Sequence, residues 1–160
     1  ETGLAEIVLT SGKRSENMLR PVFPRLPDTA FIHFGNLVGE SVRMAVSQGI
    51  KTINVGIMFG KAVKLAEGHA DTHSRESTFN PGFAVQIATR CGYDEAIVRA
   101  ISQVKLANAI RDILPFSPTE PFYLEIARCG LQTIRQFIGR DYPVCFFLLT
   151  EKGEILANKS

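Results

Sequence analysis

Runs of adjacent apolar residues alternate with amphipathic stretches through the first third of the chain. Glu6-Ile7-Val8-Leu9-Thr10 predicts a buried strand, and Ser11 to Glu16 a polar strand-to-helix loop. A short helix is expected around Glu16 to Val22. It is stopped by Pro21, Pro24 and Pro27, which cannot continue helical hydrogen bonding. Ala30-Phe31-Ile32-His33-Phe34 predicts a second strand. After Gly35-Asn36, the spacing of Val38, Val42, Ala45 and Val46 predicts a helix, with Gly49 as its left-handed cap. Thr52 to Ile57 predicts a third strand, followed by a short helix carrying Lys61 and Lys64.

A long polar loop is then expected from Gly68 to Asn80, the kind of segment that is functional when it is ordered. Pro81 to Arg90 predicts a helix stopped by Gly92. Asp94 to Leu114 shifts its apolar face near Lys105 to Ala107, which predicts two helices with a bend. A last helix is expected to begin within Ser117 to Pro121. Ser117 and Glu120 form a capping box there, with Thr119 as the alternative cap, and Tyr123, Ala127, Leu131, Ile134 and Ile138 mark its apolar face. Val144 to Leu149 and Glu154 to Ala157 flank Glu151-Lys152-Gly153 and predict a hairpin. The strand–helix rhythm predicts a three-layer, Rossmann-like α/β fold. Its sheet would be mainly parallel, with helices on both faces and an antiparallel carboxyl-terminal edge hairpin.

Composition adds little to this picture. At 160 residues with 21% charged side chains, the chain reads as one α/β domain. Its first residue is Glu1 rather than Met, which suggests a fragment of a longer protein. A net charge of +2 without basic runs argues against nucleic acid, and no apolar run is long enough for a bilayer. Cys91, Cys129 and Cys145 lack metal-ligand spacing and read as reduced, packed thiols of a cytoplasmic protein. Homo-oligomerisation stays open.

Ligands of open α/β sheets bind outside the carboxyl ends of the strands. Three loops are expected there, and they hold Gly12, Lys13, Arg14, Gly35, Asn36, Gly39, Glu40, Gly56, Lys61 and Lys64. The third runs on to His69, Asp71, Thr72, His73, Ser74 and Arg75. Glycine turns at helix starts present amide groups to an anion, yet Gly35 and Gly39 equally suit a tight turn and close packing. Lys61 and Lys64 are either ligand groups or a solvated helix face. His33 reads as a core or edge histidine. Thr72-His73-Ser74 is either proton-transfer machinery or a loop-stabilising network. His69, Asp71 and His73 alone make a weak metal set, so no metal is expected. No nucleophile elbow or Ser/His/Asp order supports hydrolysis.

The blocks Gly35 to Gly39, Gly60 to Gly68 and Thr72 to Arg75 occur in this order, and together they resemble the CbiD family. The opening Thr2-Gly3, the stretch Leu9 to Glu16 and the closing hairpin are similar to it as well. The resemblance implies an S-adenosylmethionine-dependent methyltransferase acting on C1 of cobalt-precorrin-5B in anaerobic cobalamin biosynthesis. It implies that Lys13, Arg14, Lys61, Lys64 and Arg75 meet the acetate and propionate groups of a cobalt-bound tetrapyrrole. Gly12, Gly35, Asn36, Gly39 and Gly56 would receive the cofactor, and Asp71, Thr72, His73 and Ser74 would form the catalytic loop. His73 would accept or relay a proton, oriented by Asp71 or Thr72. The alternative is a non-catalytic module that holds an anionic ligand or partner.

Overall fold

The order of the strands follows from where each crossover can run. The computed structural model describes residues 3–73, 75, 78–139 and 141–159. Its strands β1 (Glu6–Thr10), β2 (Phe31–His33), β3 (Thr52–Met58), β4 (Val144–Leu149) and β5 (Ile155–Lys159) form one sheet in the order β2-β1-β3-β4-β5. The first four are parallel, and β5 pairs antiparallel with β4, as the hairpin pattern predicts.

Right-handed crossovers place leftward and rightward connections on opposite faces. Only β1 to β2 runs leftward, through α1 (Lys13–Leu19). Leu19 of α1 packs with Val8, Phe147 and Leu149 on that face. The remaining helices cover the other face: α2 (Val38–Ser47), α3 (Phe59–Ala66), α4 (Pro81–Arg90), α5 (Glu95–Ser102), α6 (Ile110–Ile113) and α7 (Pro121–Ile138). Their side chains form the large core with Ile7, Leu9, Ile53, Val55, Ile57, Val144, Phe146 and Leu148. The expected layers on both faces are therefore present, one of them much thinner than the other.

Several boundaries differ from the sequence pattern for local reasons. Helix α1 starts at Lys13 rather than Glu16, because Ser15 Oγ accepts the Gly12 amide at 3.0 Å and returns a bond to the Gly12 carbonyl at 2.8 Å. Neither Ser117 nor Thr119 caps α7. Glu120 precedes proline, which pushes it out of the helical region, and its ψ of 121° leaves the helix to begin at Pro121. The predicted bend near Lys105 is a complete break. A 3-10 turn at Ala107–Ala109 separates α5 from α6. Gly49 has the left-handed φ of +76° expected of its cap.

Gly56 lies inside β3 rather than in a turn. A Cβ there would stand 2.2 Å from Leu19 Cδ1, so the missing side chain is what lets α1 lie on the sheet. Among the described residues, no helix is long and apolar enough to cross a membrane.

Candidate functional site

The sheet order reverses direction between β1 and β3, and open α/β sheets place their ligand crevice outside the strand ends at such a point. A cavity of about 810 Å³ opens there. Met58, Phe59, Phe79 and Leu106 supply apolar lining. Asn36, Lys61, Lys64, Thr72, His73, Lys105, Asn108 and Glu151 supply polar groups.

Helix α3 starts directly after β3, and this sets the floor of the cavity. Phe59, at its first position, is buried and packs edge-on against Tyr123 of α7 at 5.2 Å. Two residues on, Lys61 begins a face shared with Lys64 three positions later. Lys61 Nζ donates to the Gly35 carbonyl at 2.9 Å, and Lys64 Nζ donates to the Thr72 carbonyl at 3.3 Å. The Thr72 amide donates to the Asn36 carbonyl at 3.0 Å, and the Gly39 amide donates to Ala70 O at 3.3 Å. Three segments are thus stitched together: the turn after β2, helix α3 and the loop that follows it.

Burial is the main cause that lowers the Lys61 ammonium's affinity for its proton. The like charge of Lys64 adds to it, and Asp71 opposes it.

The loop 71–73 is internally organised. The His73 amide donates to Asp71 Oδ1 at 2.8 Å, an Asx turn that sets the backbone. The Arg75 amide donates to His73 Nδ1 at 3.1 Å. In the neutral ring this bond requires the proton on Nε2. His69 pairs instead with Glu67, at 3.4 Å, and Asn80 Nδ2 donates to the same carboxylate at 2.5 Å. Among the described residues, no three His, Cys, Asp or Glu side chains gather as a metal set.

The sequence profile described as CbiD, C-terminal domain, matches residues 71–160. The chain belongs to the CbiD family. A cobalt-precorrin-5B C(1)-methyltransferase of Prosthecochloris aestuarii is 39% identical over 163 residues, covering 99% of this chain and 43% of the relative. Proteins of the same name from Priestia megaterium and Thermus thermophilus are 30% and 28% identical, covering 94% and 95% of this chain and 41% of each relative. The chain thus spans less than half the length of the curated relatives it matches. No solved structure matches it.

For this CbiD chain, the cavity brings together five of the residues singled out from the sequence: Asn36, Lys61, Lys64, Thr72 and His73. Asp71 stands behind them as the backbone anchor of His73. Gly35 contributes its carbonyl to Lys61. A Cβ on Gly39 would stand 2.9 Å from Ala70 Cβ, so its absence serves close helix–loop packing. Gly12 closes on Ser15, and Gly56 is covered by Leu19. Arg75 is exposed and does not line the cavity. Ser74 and Thr2 lie outside the described residues.

Lys13 and Arg14 do not line the cavity. Lys13 Nζ donates to Glu16 Oε1 at 2.9 Å, and Arg14 Nη2 donates to the Glu151 carbonyl at 2.6 Å. The Glu16 carboxylate is buried and also receives Arg20 Nε at 2.7 Å and His33 Nε2 at 2.5 Å. These hydrogen bonds, Lys13 first, then Arg20 and His33, hold its pKa at about 2 against an ordinary 4.5. A carboxylate held low stabilises the fold above its ordinary pKa and loses that contribution as pH falls through the depressed value. Glu16→Gln is therefore expected to lower the melting temperature at pH 7, with the gap closing between pH 4.5 and about 2. Melting curves of both proteins across that range check this, and equal melting at pH 7 would refute it.

Lys105, Leu106, Asn108 and Glu151 were absent from the sequence-based site. The shift of apolar face at Lys105 to Ala107 was their only trace, because that break turns the chain toward the cavity. Glu151 stands in the predicted hairpin turn at the carboxyl end of β4, a strand end outside the three loops expected to hold the site, and accepts Asn108 Nδ2 at 3.3 Å.

Proposed function

We propose that this chain carries the methyl-transfer cavity of a cobalt-precorrin-5B C1-methyltransferase that uses S-adenosylmethionine. The observation that supports it most is the mixture lining one cavity at the sheet's switch point: apolar walls, three lysines and a histidine. That mixture suits both reactants. Met58 would contact an adenine, Glu151 would accept from ribose hydroxyls, and Lys61 and Lys64 suit carboxylates. When bound, S-adenosylmethionine supplies an electrophilic methyl group on a sulfonium.

The chain's own residues would then hold and orient the reactants and manage a proton. His73, whose Nδ1 accepts the Arg75 amide, would offer Nε2–H as a hydrogen-bond donor to the substrate. It would take up the proton lost from the substrate ring as C1 is methylated only at Nδ1, once the hydrogen bond from the Arg75 amide is released. Lys61 and Lys64 would act in two ways. They fix Asn36 and Thr72 through the carbonyls of residues 35 and 72, and they supply positive potential to the cavity. A biosynthetic enzyme of this kind would work in the cytoplasm.

The second reading is a non-catalytic module that holds the anionic substrate for chemistry elsewhere. It is favoured by the lysines of the cavity, which suit an anion whether or not chemistry follows. Titration calorimetry with S-adenosylmethionine and its demethylated product separates the two. The methyltransferase reading expects heat of binding for both. Absence of binding to either, with and without the cobalt tetrapyrrole, would overturn it and leave the module.

A further inference from the structure

The connection between α5 and α6 is pinned on both sides of a two-residue protrusion. Val104 packs against the main core, and its amide donates to the Ile101 carbonyl at 3.2 Å. Ala107 is 5% exposed, and the Ala109 amide donates back to the Leu106 carbonyl at 3.0 Å. Between these anchors, Lys105 and Leu106 both line the cavity.

Leu106 is 71% exposed, more than any other large apolar side chain among the described residues. An apolar side chain held out from the surface on a pinned backbone loses little entropy when a ligand covers it. Lys105 differs from its neighbours as well. Lys61, Lys64 and Arg14 spend their charge on backbone carbonyls, and Lys13 spends its charge on Glu16. Lys105 has no side-chain partner among the described residues. A cation and a large apolar group stand side by side on one wall, which suits a ligand with an apolar face edged by carboxylates.

We propose that Lys105-Leu106 is the recognition wall for the macrocycle, with Leu106 covering its ring face and Lys105 pairing with a peripheral carboxylate. This rests on the methyltransferase reading and assigns the substrate's side of the cavity. The wall selects the substrate and takes no part in binding S-adenosylmethionine.

The test titrates the full chain with a cobalt-bound tetrapyrrole polycarboxylate and with the same macrocycle as its methyl ester, followed by visible absorbance. Leu106→Ser is expected to weaken both macrocycles roughly tenfold, as loss of a covered leucine should. Lys105→Glu is expected to weaken the polycarboxylate by at least about tenfold and the ester by less than about twofold, with the difference shrinking as salt rises. Melting curves and S-adenosylmethionine titrations should match wild type for both variants, since both side chains are exposed. If wild type binds the macrocycle and both variants bind it equally well, the recognition wall is refuted while the methyltransferase reading stands. If Lys105→Glu weakens acid and ester alike, the carboxylate pairing is refuted. If wild type binds neither macrocycle, the functional reading falls and this inference falls with it.

Discussion

Replacing His73 with alanine is expected to slow C1 methylation roughly 100-fold or more, the range that a positioned proton-transfer group contributes. The side chain is half-buried at the cavity lining, so its removal leaves no sealed void in the core. Its backbone is held independently of the ring, by Asp71 and by the buried Thr72 bound to the Asn36 carbonyl. Melting temperature and S-adenosylmethionine affinity should therefore stay near wild type while turnover falls. If His73 were only an anchor of the loop, stability and binding would fall together with rate. His73→Gln sharpens the test, since an amide can donate a hydrogen bond but cannot carry a proton at neutral pH. Retained activity in the glutamine variant would make His73 a donor that positions substrate. Its loss would assign proton transfer. A folded His73→Ala protein with near-full turnover would remove both roles and move the chemistry to another part of the cavity.

The largest loss of stability is expected from Tyr123→Ala. Tyr123 is a fully buried side chain at the centre of an aromatic cluster. Its ring meets Phe59 at 5.2 Å, Phe116 at 5.0 Å and Phe122 at 5.6 Å. Its hydroxyl donates to the Leu114 carbonyl at 2.6 Å. Burial pushes the phenol's pKa well above its ordinary value, so it stays a neutral donor. Truncation to alanine removes the ring and leaves a cavity, at a cost of about 3–5 kcal/mol. For a chain of this size that corresponds to a fall in melting temperature on the order of 10 °C. Tyr123→Phe keeps the ring and leaves the buried Leu114 carbonyl without its donor, at a cost of about 1–2 kcal/mol. Because Phe59 is also the cavity floor, the alanine variant should lose ligand affinity along with stability, and the phenylalanine variant should keep most of it. Urea unfolding and ligand titration of the two proteins check this. An alanine variant that melts within about 2 °C of wild type would refute the central role given to the cluster.

The sheet and the near side of the cavity were legible because their signals are local. In β3, five buried residues, Ile53 to Ile57, sit between a helix cap at Gly49 and the start of α3. A short run of this kind marks a strand covered on both faces. Asn36, Lys61, Lys64, Thr72 and His73 all follow closely on β2 or β3, so the rule that ligands gather at the carboxyl ends of strands reached them from spacing alone. The CbiD resemblance rested on the same stretches.

Tertiary structure decided the rest, because side-chain partnership depends on groups that are distant in sequence. Glu16 on α1 collects Lys13, Arg20 and His33, the last of these from strand β2, so Lys13 is held on Glu16 and does not line the cavity. Gly56 has the look of a ligand-facing turn in sequence, yet the close approach of Leu19 is what requires it. Lys105, Leu106 and Glu151 reach the cavity only because α5 breaks from α6 and because β4 pairs alongside β3. The amino-acid sequence by itself determined the periodicity, the turns and hence the parallel sheet, since each is set by neighbours a few residues apart. Only the packing of helices on that sheet decided which charges are spent on backbone carbonyls and which remain for a ligand, since burial and pairing are properties of the assembled fold.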